Sequence, residues 1–197
     1  MGLQLPAPPA NGSSLVLGVL TNLAAGPLPP PSVRNGGTNL QTQAPHTIYD
    51  FGAGDVVAGR GLDAAQRTAF RYPVVDASGV PVAAAEATTD PQGKANRVTF
   101  INYGPFVAAT DLALAELGSK LGTSPVTYEV RALRSRGLSV MAIWLHAPDP
   151  AEDLIYPMAP APAPLVPQRL YTPGDFFAAI LPLAQARVAA RSPGLVP

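Results

Sequence analysis

Trp144 and His146 stand two residues apart in "YEVRALRSRGLSVMAIWLHAP" (128–148), in a chain that holds one tryptophan and two histidines. An indole beside an imidazole can stack on a flat ligand or steer a proton. Tyr128, Met141 and Tyr156, from neighbouring strand-like segments, complete a candidate ligand-binding set. The local pattern qualifies that reading. Met141, Ile143 and Leu145 alternate with Val140, Ala142 and Trp144, so the segment is apolar on both sides and reads as a strand covered on both faces. Trp144 is then expected in sheet packing, and His146, just before Pro148, at the rim.

Other constellations fall short of the chemistry they imitate. "DFGAGDVVAGRG" (50–61) follows a strand-like run, as a phosphate loop does. Dinucleotide binding needs a third glycine where Val57 stands, and a helix that Gly59 and Gly61 would spoil. With no Walker lysine followed by serine or threonine, the segment reads as a loop. "GLSVM" (137–141) lacks the last glycine of a nucleophile elbow, so Ser139 is not assigned as a nucleophile. His46 and His146 are far apart, with no histidine partner at metal-ligand spacing. Asp50, Asp55 and Asp63 cluster in the glycine-rich segment without the spacing of a calcium loop. Arg131, Arg134 and Arg136 form the one local basic cluster, and it reads as a solvated hairpin tip rather than a phosphate-binding patch. No catalytic residue, metal site or cofactor is assigned on these grounds.

The composition narrows the partners further. Charged residues make up 13% of the chain, about half the usual share, and apolar residues 47%. Basic and acidic residues balance at thirteen each, so no long-range field recruits nucleic acid or an anionic membrane. The absence of cysteine excludes disulfides, thiolate nucleophiles and zinc–sulfur sites. The apolar stretch 13–26 is too short to span a bilayer and has no basic residue before it, so no membrane span and no signal peptide are expected. It reads as a strand or a docking segment. That leaves a cytoplasmic protein, or part of a particle assembled in the cytoplasm, with the compartment otherwise open.

The elements that would position these residues fall into three blocks. Residues 1–45, with prolines at 6, 8, 9, 27, 29, 30 and 31, read as an extended arm. Residues 46–158 read as a globular α+β domain. Its strands are expected at 46–51, 69–75, 80–87, 97–103, 127–133, 138–145 and 153–158, with a half-exposed edge strand at 127–133. Between the fourth and fifth of them, Phe106, Thr110, Leu114, Leu117 and Leu121 form one helical face, with Pro105 before it and Gly122 after it. Residues 159–197 read as a proline-rich connector and a C-terminal helix. That helix is capped by Thr172 and carries Phe176, Phe177, Ile180, Ala184 and Val188 on one stripe, with Pro182 expected to kink or divide it.

The predicted fold is therefore an antiparallel sheet with helices on one side, one main helix dominating. A helix followed by a strand meander over 97–158 resembles a cystatin-like roll in topology, without the motifs of inhibitory cystatins. The YE-R and LW-type strands with a proline-rich tail also resemble a class of uncharacterised bacterial and phage proteins. Neither resemblance implies an activity. The functional expectation is a non-catalytic structural or interaction protein, a subunit or accessory of a larger bacterial or phage assembly. It would bind protein partners, or copies of itself, through the extended arm. The alternative is a small-ligand-binding or enzymatic module on the concave sheet face, using Tyr128, Met141, Trp144, His146 and Tyr156.

Overall fold

A computed structural model describes residues 2–36 and 39–191. In chain order the elements are β1 (Leu3–Gln4), α1 (Gly12–Ala24), α2 (Pro31–Gly36), β2 (Gln41–Thr42), β3 (His46–Asp50), α3 (Ala53–Val57), β4 (Gln66–Val75), β5 (Pro81–Thr89), β6 (Ala95–Asn102), α4 (Phe106–Leu121), β7 (Tyr128–Ser135), β8 (Val140–His146), β9 (Leu154–Pro157) and α5 (Pro173–Arg191). The fold is mixed α+β, built on one large sheet in the order β6-β5-β4-β3-β7-β8-β9.

Local hairpins make most of the sheet, as the turn chemistry requires. The β4–β5 turn is tied by Asp76, whose carboxylate accepts from the backbone N–H of Ser78 and Val80. The long-range step is different. β3 pairs antiparallel with β4 but parallel with β7, Thr47 facing Arg131 and Asp50 facing Arg134. The sheet is therefore mixed, not wholly antiparallel. The reason is α4, which carries the chain from the β6 edge back over the sheet and delivers β7 on the far side of β3. β7 thereby becomes an interior strand, not the half-exposed edge that its alternation suggests.

Both faces are covered, so helices on one side alone is also corrected. α4 packs Ala113 and Leu117 on Ile48, Val130, Ala132, Ile143 and Leu145. Its buried stripe is Val107, Thr110, Ala113 and Leu117, with Phe106, Leu114 and Leu121 flanking it. On the opposite face, α3 and α5 pack on Leu133, Val140, Ala142, Trp144 and Ile155. The same face continues over β4 and β5, where Val16 and Leu20 of α1 and Val33 of α2 meet Phe70, Tyr72, Val74, Ala83 and Ala85.

Residues 13–26 are thus a helix that docks, not a strand. Within 1–45 the extended part is short. β1 pairs parallel with β7, the proline segment crosses to an Ala10–Lys94 bridge, and α1 follows. The 50–61 segment holds α3, and a 3-10 turn begins at its last residue (Gly61–Ala64), in place of the expected loop. In α3, Asp55 accepts from the Gly52 N–H at 2.7 Å and organises the first turn. α5 is capped as expected, the Thr172 hydroxyl accepting from the Asp175 N–H and donating to the Asp175 carboxylate. It runs as one helix through Pro182 rather than dividing. The chain beyond 191 in the expected C-terminal block lies outside the described residues.

Candidate functional site

Strand alternation decides which charges end up inside. In β4, Phe70, Tyr72 and Val74 face α1, so Arg71 between them faces the α4 side. In β5, Ala83, Ala85 and Ala87 face α1 and leave Glu86 on the α4 side. Register then lines up Phe100 with Glu86, Glu86 with Arg71, and Arg71 with His46, a single row across four strands. Arg134 reaches this row from β7 and Arg136 from the turn after it.

Glu86 is the hub of the row. Its Oε1 accepts from Arg134 Nη1 at 2.6 Å and Arg71 Nη1 at 3.4 Å, and its Oε2 lies 3.6 Å from Arg136 Nη2. Arg134 also donates from Nε and Nη2 to both oxygens of Asp50, at 2.7 and 2.9 Å. Burial alone would raise the Asp50 carboxyl, but the Arg134 and Thr68 hydrogen bonds hold it below its ordinary range. Burial pulls the Arg71 guanidinium down to about 10, with Glu86 opposing the shift, so Arg71 stays charged at neutral pH. Three guanidiniums therefore face two carboxylates, and one positive charge is left over.

Beside this row lies a cavity of about 330 Å³ between the start of α4 and the sheet. Arg71, Glu86 and Arg134 line its charged side, and Phe100, Phe106 and Met141 its apolar side. Arg136 stands at the mouth with its guanidinium 5.3 Å from the centre of the Phe100 ring. Ser139, in the preceding turn at φ +55°, also lines it. The Nε and Nη2 of Arg71 and the Oγ of Ser135 are enclosed without a hydrogen-bond partner among the described residues. A cavity with a surplus positive charge and an apolar wall can hold an anion; it shows no pairing of a nucleophile with a base.

The five residues expected to share a site do not meet. Tyr128, Met141 and Tyr156 face α4, whereas Trp144 packs under α3 and α5 and His146, two residues along the strand, lies on that same face, with the sheet between the two groups. Met141 lines the cavity. Tyr156 donates its hydroxyl to Glu116, and burial followed by that contact raises its pKa. Asp153, buried, accepts from Trp144 Nε1 at 2.8 Å and from the Ala147 N–H at 2.8 Å, and its Oδ1 lies 3.1 Å from His146 Nδ1. Arg131 lies 4.6 Å from the Trp144 ring centre and 5.0 Å from that of Tyr49, and Glu129 holds it at 2.9 and 3.1 Å. Trp144 and His146 are anchored parts of the packing.

The other constellations are equally occupied. His46 and His146 lie on opposite faces and cannot share an ion. Asp50 is engaged by Arg134 and Thr68, and Asp55 by Arg60 and the Gly52 N–H; of the three acids Asp63 has no side-chain partner among the described residues. Among the described residues no group of three or more His, Asp or Glu side chains is placed to hold a metal ion. None of the described helices is long and apolar enough to cross a membrane. Sequence reasoning passed over Arg71 and Glu86, and weighed His46 only as a metal ligand. The available signal was a lone charge inside each of the apolar runs "AFRYPVV" and "VAAAEA". Comparison with protein-family models, with curated proteins and with solved structures finds no match to this chain.

Proposed function

We propose that the protein is a non-catalytic interaction protein, a subunit or accessory of a larger bacterial or phage assembly, and that copies of it associate through the β6 edge. The observation that carries this reading is the unequal treatment of the two sheet edges. At β9 the chain covers its own edge: Ile155 and Tyr171 exchange backbone hydrogen bonds at 2.9 Å, and the Gln168 N–H donates to Pro157 at 3.0 Å. At β6, Ala95 is taken up by Ala10 and Asn11, and among the described residues no strand pairs with the length beyond it on its outer side. Phe100, 44% exposed, and Tyr103 stand on or next to that open length. A long open edge with exposed aromatics is a template for adding another strand, and natural sheets blunt such edges unless they are used.

The contact surface in this reading is the edge, because Val16, Leu20 and Val33 of the N-terminal arm are already buried on their own sheet, and Leu5, Leu23 and Leu28 stay exposed singly along the arm. The cystatin-like roll belongs to the same proposal only as a description of α4 and the β7–β8–β9 meander, since β5, β4 and β3 separate β6 from β7. Sedimentation of the full chain over a range of concentrations tests the reading. The protein should associate, and Thr99→Lys with Tyr103→Lys should leave it monomeric but still folded, with a melting temperature lowered only modestly by loss of association and of the Thr99 hydrogen bond to the Glu86 carbonyl. A full-length chain that stays monomeric at every concentration, or a double variant that associates as before, overturns it.

A further inference from the structure

We propose that the cavity beside Glu86 is a receptor for a small monocarboxylate carrying a flat apolar body. The charge balance selects the head group. Arg71, Arg134 and Arg136 exceed Glu86 and Asp50 by one positive charge, which one carboxylate neutralises. A dianion would overshoot that balance beside Glu86, which lines the cavity. Arg71 is 1% exposed and supplies its field from below, enclosed and short of hydrogen-bond partners.

Arg136 makes the direct contact. Its side chain is 64% exposed at the mouth, and its 3.6 Å approach to Glu86 is too long to be a full hydrogen bond. It can therefore turn its fork onto a ligand carboxylate without leaving Glu86 unpaired, since Arg134 and Arg71 both donate to it. The apolar wall selects the body. Phe100, Phe106 and Met141 offer two aromatic rings and a thioether around a volume of about 330 Å³, the lower end of the range for small-molecule sites.

Calorimetric titration of the full-length protein with sodium benzoate, sodium acetate and inorganic phosphate tests this. Benzoate should bind saturably at one site, acetate about tenfold or more weakly for want of the ring, and phosphate more weakly than benzoate. Arg136→Gln should weaken benzoate and acetate alike. Phe100→Ala should weaken benzoate and leave acetate unchanged. Arg71→Met should abolish both, and if that buried variant fails to fold, the two variants at the mouth still decide. Absence of saturable benzoate binding overturns the proposal. So does phosphate binding tighter than benzoate, or benzoate affinity untouched by both mouth variants. Thr99→Lys with Tyr103→Lys should bind benzoate normally, so this test and that of the β6 edge fail independently.

Discussion

His46 lies in register with Arg71, fully buried, and neither of its ring nitrogens has a hydrogen-bond partner among the described residues. Burial, and then the neighbouring guanidinium, push its pKa from 6.5 to about 3. The folded protein therefore keeps His46 neutral where the unfolded chain would protonate it. Between those two values the unfolded state binds more protons, so stability falls as pH drops below 6.5. The slope from this one group approaches about 1.4 kcal/mol per pH unit. Asp50, whose carboxyl is held low, adds its own loss only further down, as the pH falls through the ordinary carboxylate range. Melting temperatures measured from pH 7 to about 4.5 should thus decline in the native protein. In His46→Leu, which removes the proton acceptor and two unpartnered nitrogens, the curve should be flatter. An equal slope in both would show that His46 does not control acid sensitivity.

Among the elements, α1 depends on a close approach that only glycine permits. A Cβ at Gly12 would lie 1.8 Å from the Tyr72 hydroxyl and 2.6 Å from the ring carbon that bears it. Tyr72 is fully buried, so it has little room to yield. Gly12→Ala improves helix propensity by up to about 1 kcal/mol, yet overpacking costs about 1–3 kcal/mol, so the variant should be less stable. Adding Tyr72→Phe removes the nearer clash and should recover part of the loss in chemical denaturation. A Gly12→Ala protein as stable as the native one would show that α1 does not sit this tightly. Elements with strong local signals were legible in the sequence: the Pro105–Gly122 punctuation of α4, the Thr172 cap of α5, and the two-sided apolar pattern of β8. α1 was not, because "SSLVLGVLTNL" has no charged face to set a helical period and its valines favour a strand. The parallel β3–β7 pairing was not legible either, since nothing local to "HTIYDF" or "YEVRALRS" specifies a partner delivered by a crossover helix. The candidate site was hidden for the same reason. Alternation places Arg71 and Glu86 on one face, but only the crossover makes that face an interior and brings Arg134 to it.

At the scale of the whole molecule, one sheet is shared by three apolar clusters, so the arm belongs to the same folding unit as the rest. β4 shows the coupling. Its Phe70, Tyr72 and Val74 are covered by α1 and α2, while Ala69 and Arg71 of the same strand face α4 and the charge row. Removing residues 2–24 would take away β1, which pairs with the start of β7, and would uncover the β4–β5 face that Val16 and Leu20 close. Burying a side chain of that size contributes about 1.5–3 kcal/mol, and a domain has only about 5–15 kcal/mol in all. The truncated protein should therefore melt well below the full chain and bind a hydrophobic dye, and the full chain should melt in a single transition. An arm that served only to reach a neighbour would leave the melting temperature unchanged. Calorimetry of the two proteins separates these outcomes. The comparison also bears on assembly, because loss of association in the truncated chain counts against the β6 edge only if the remaining domain is still folded.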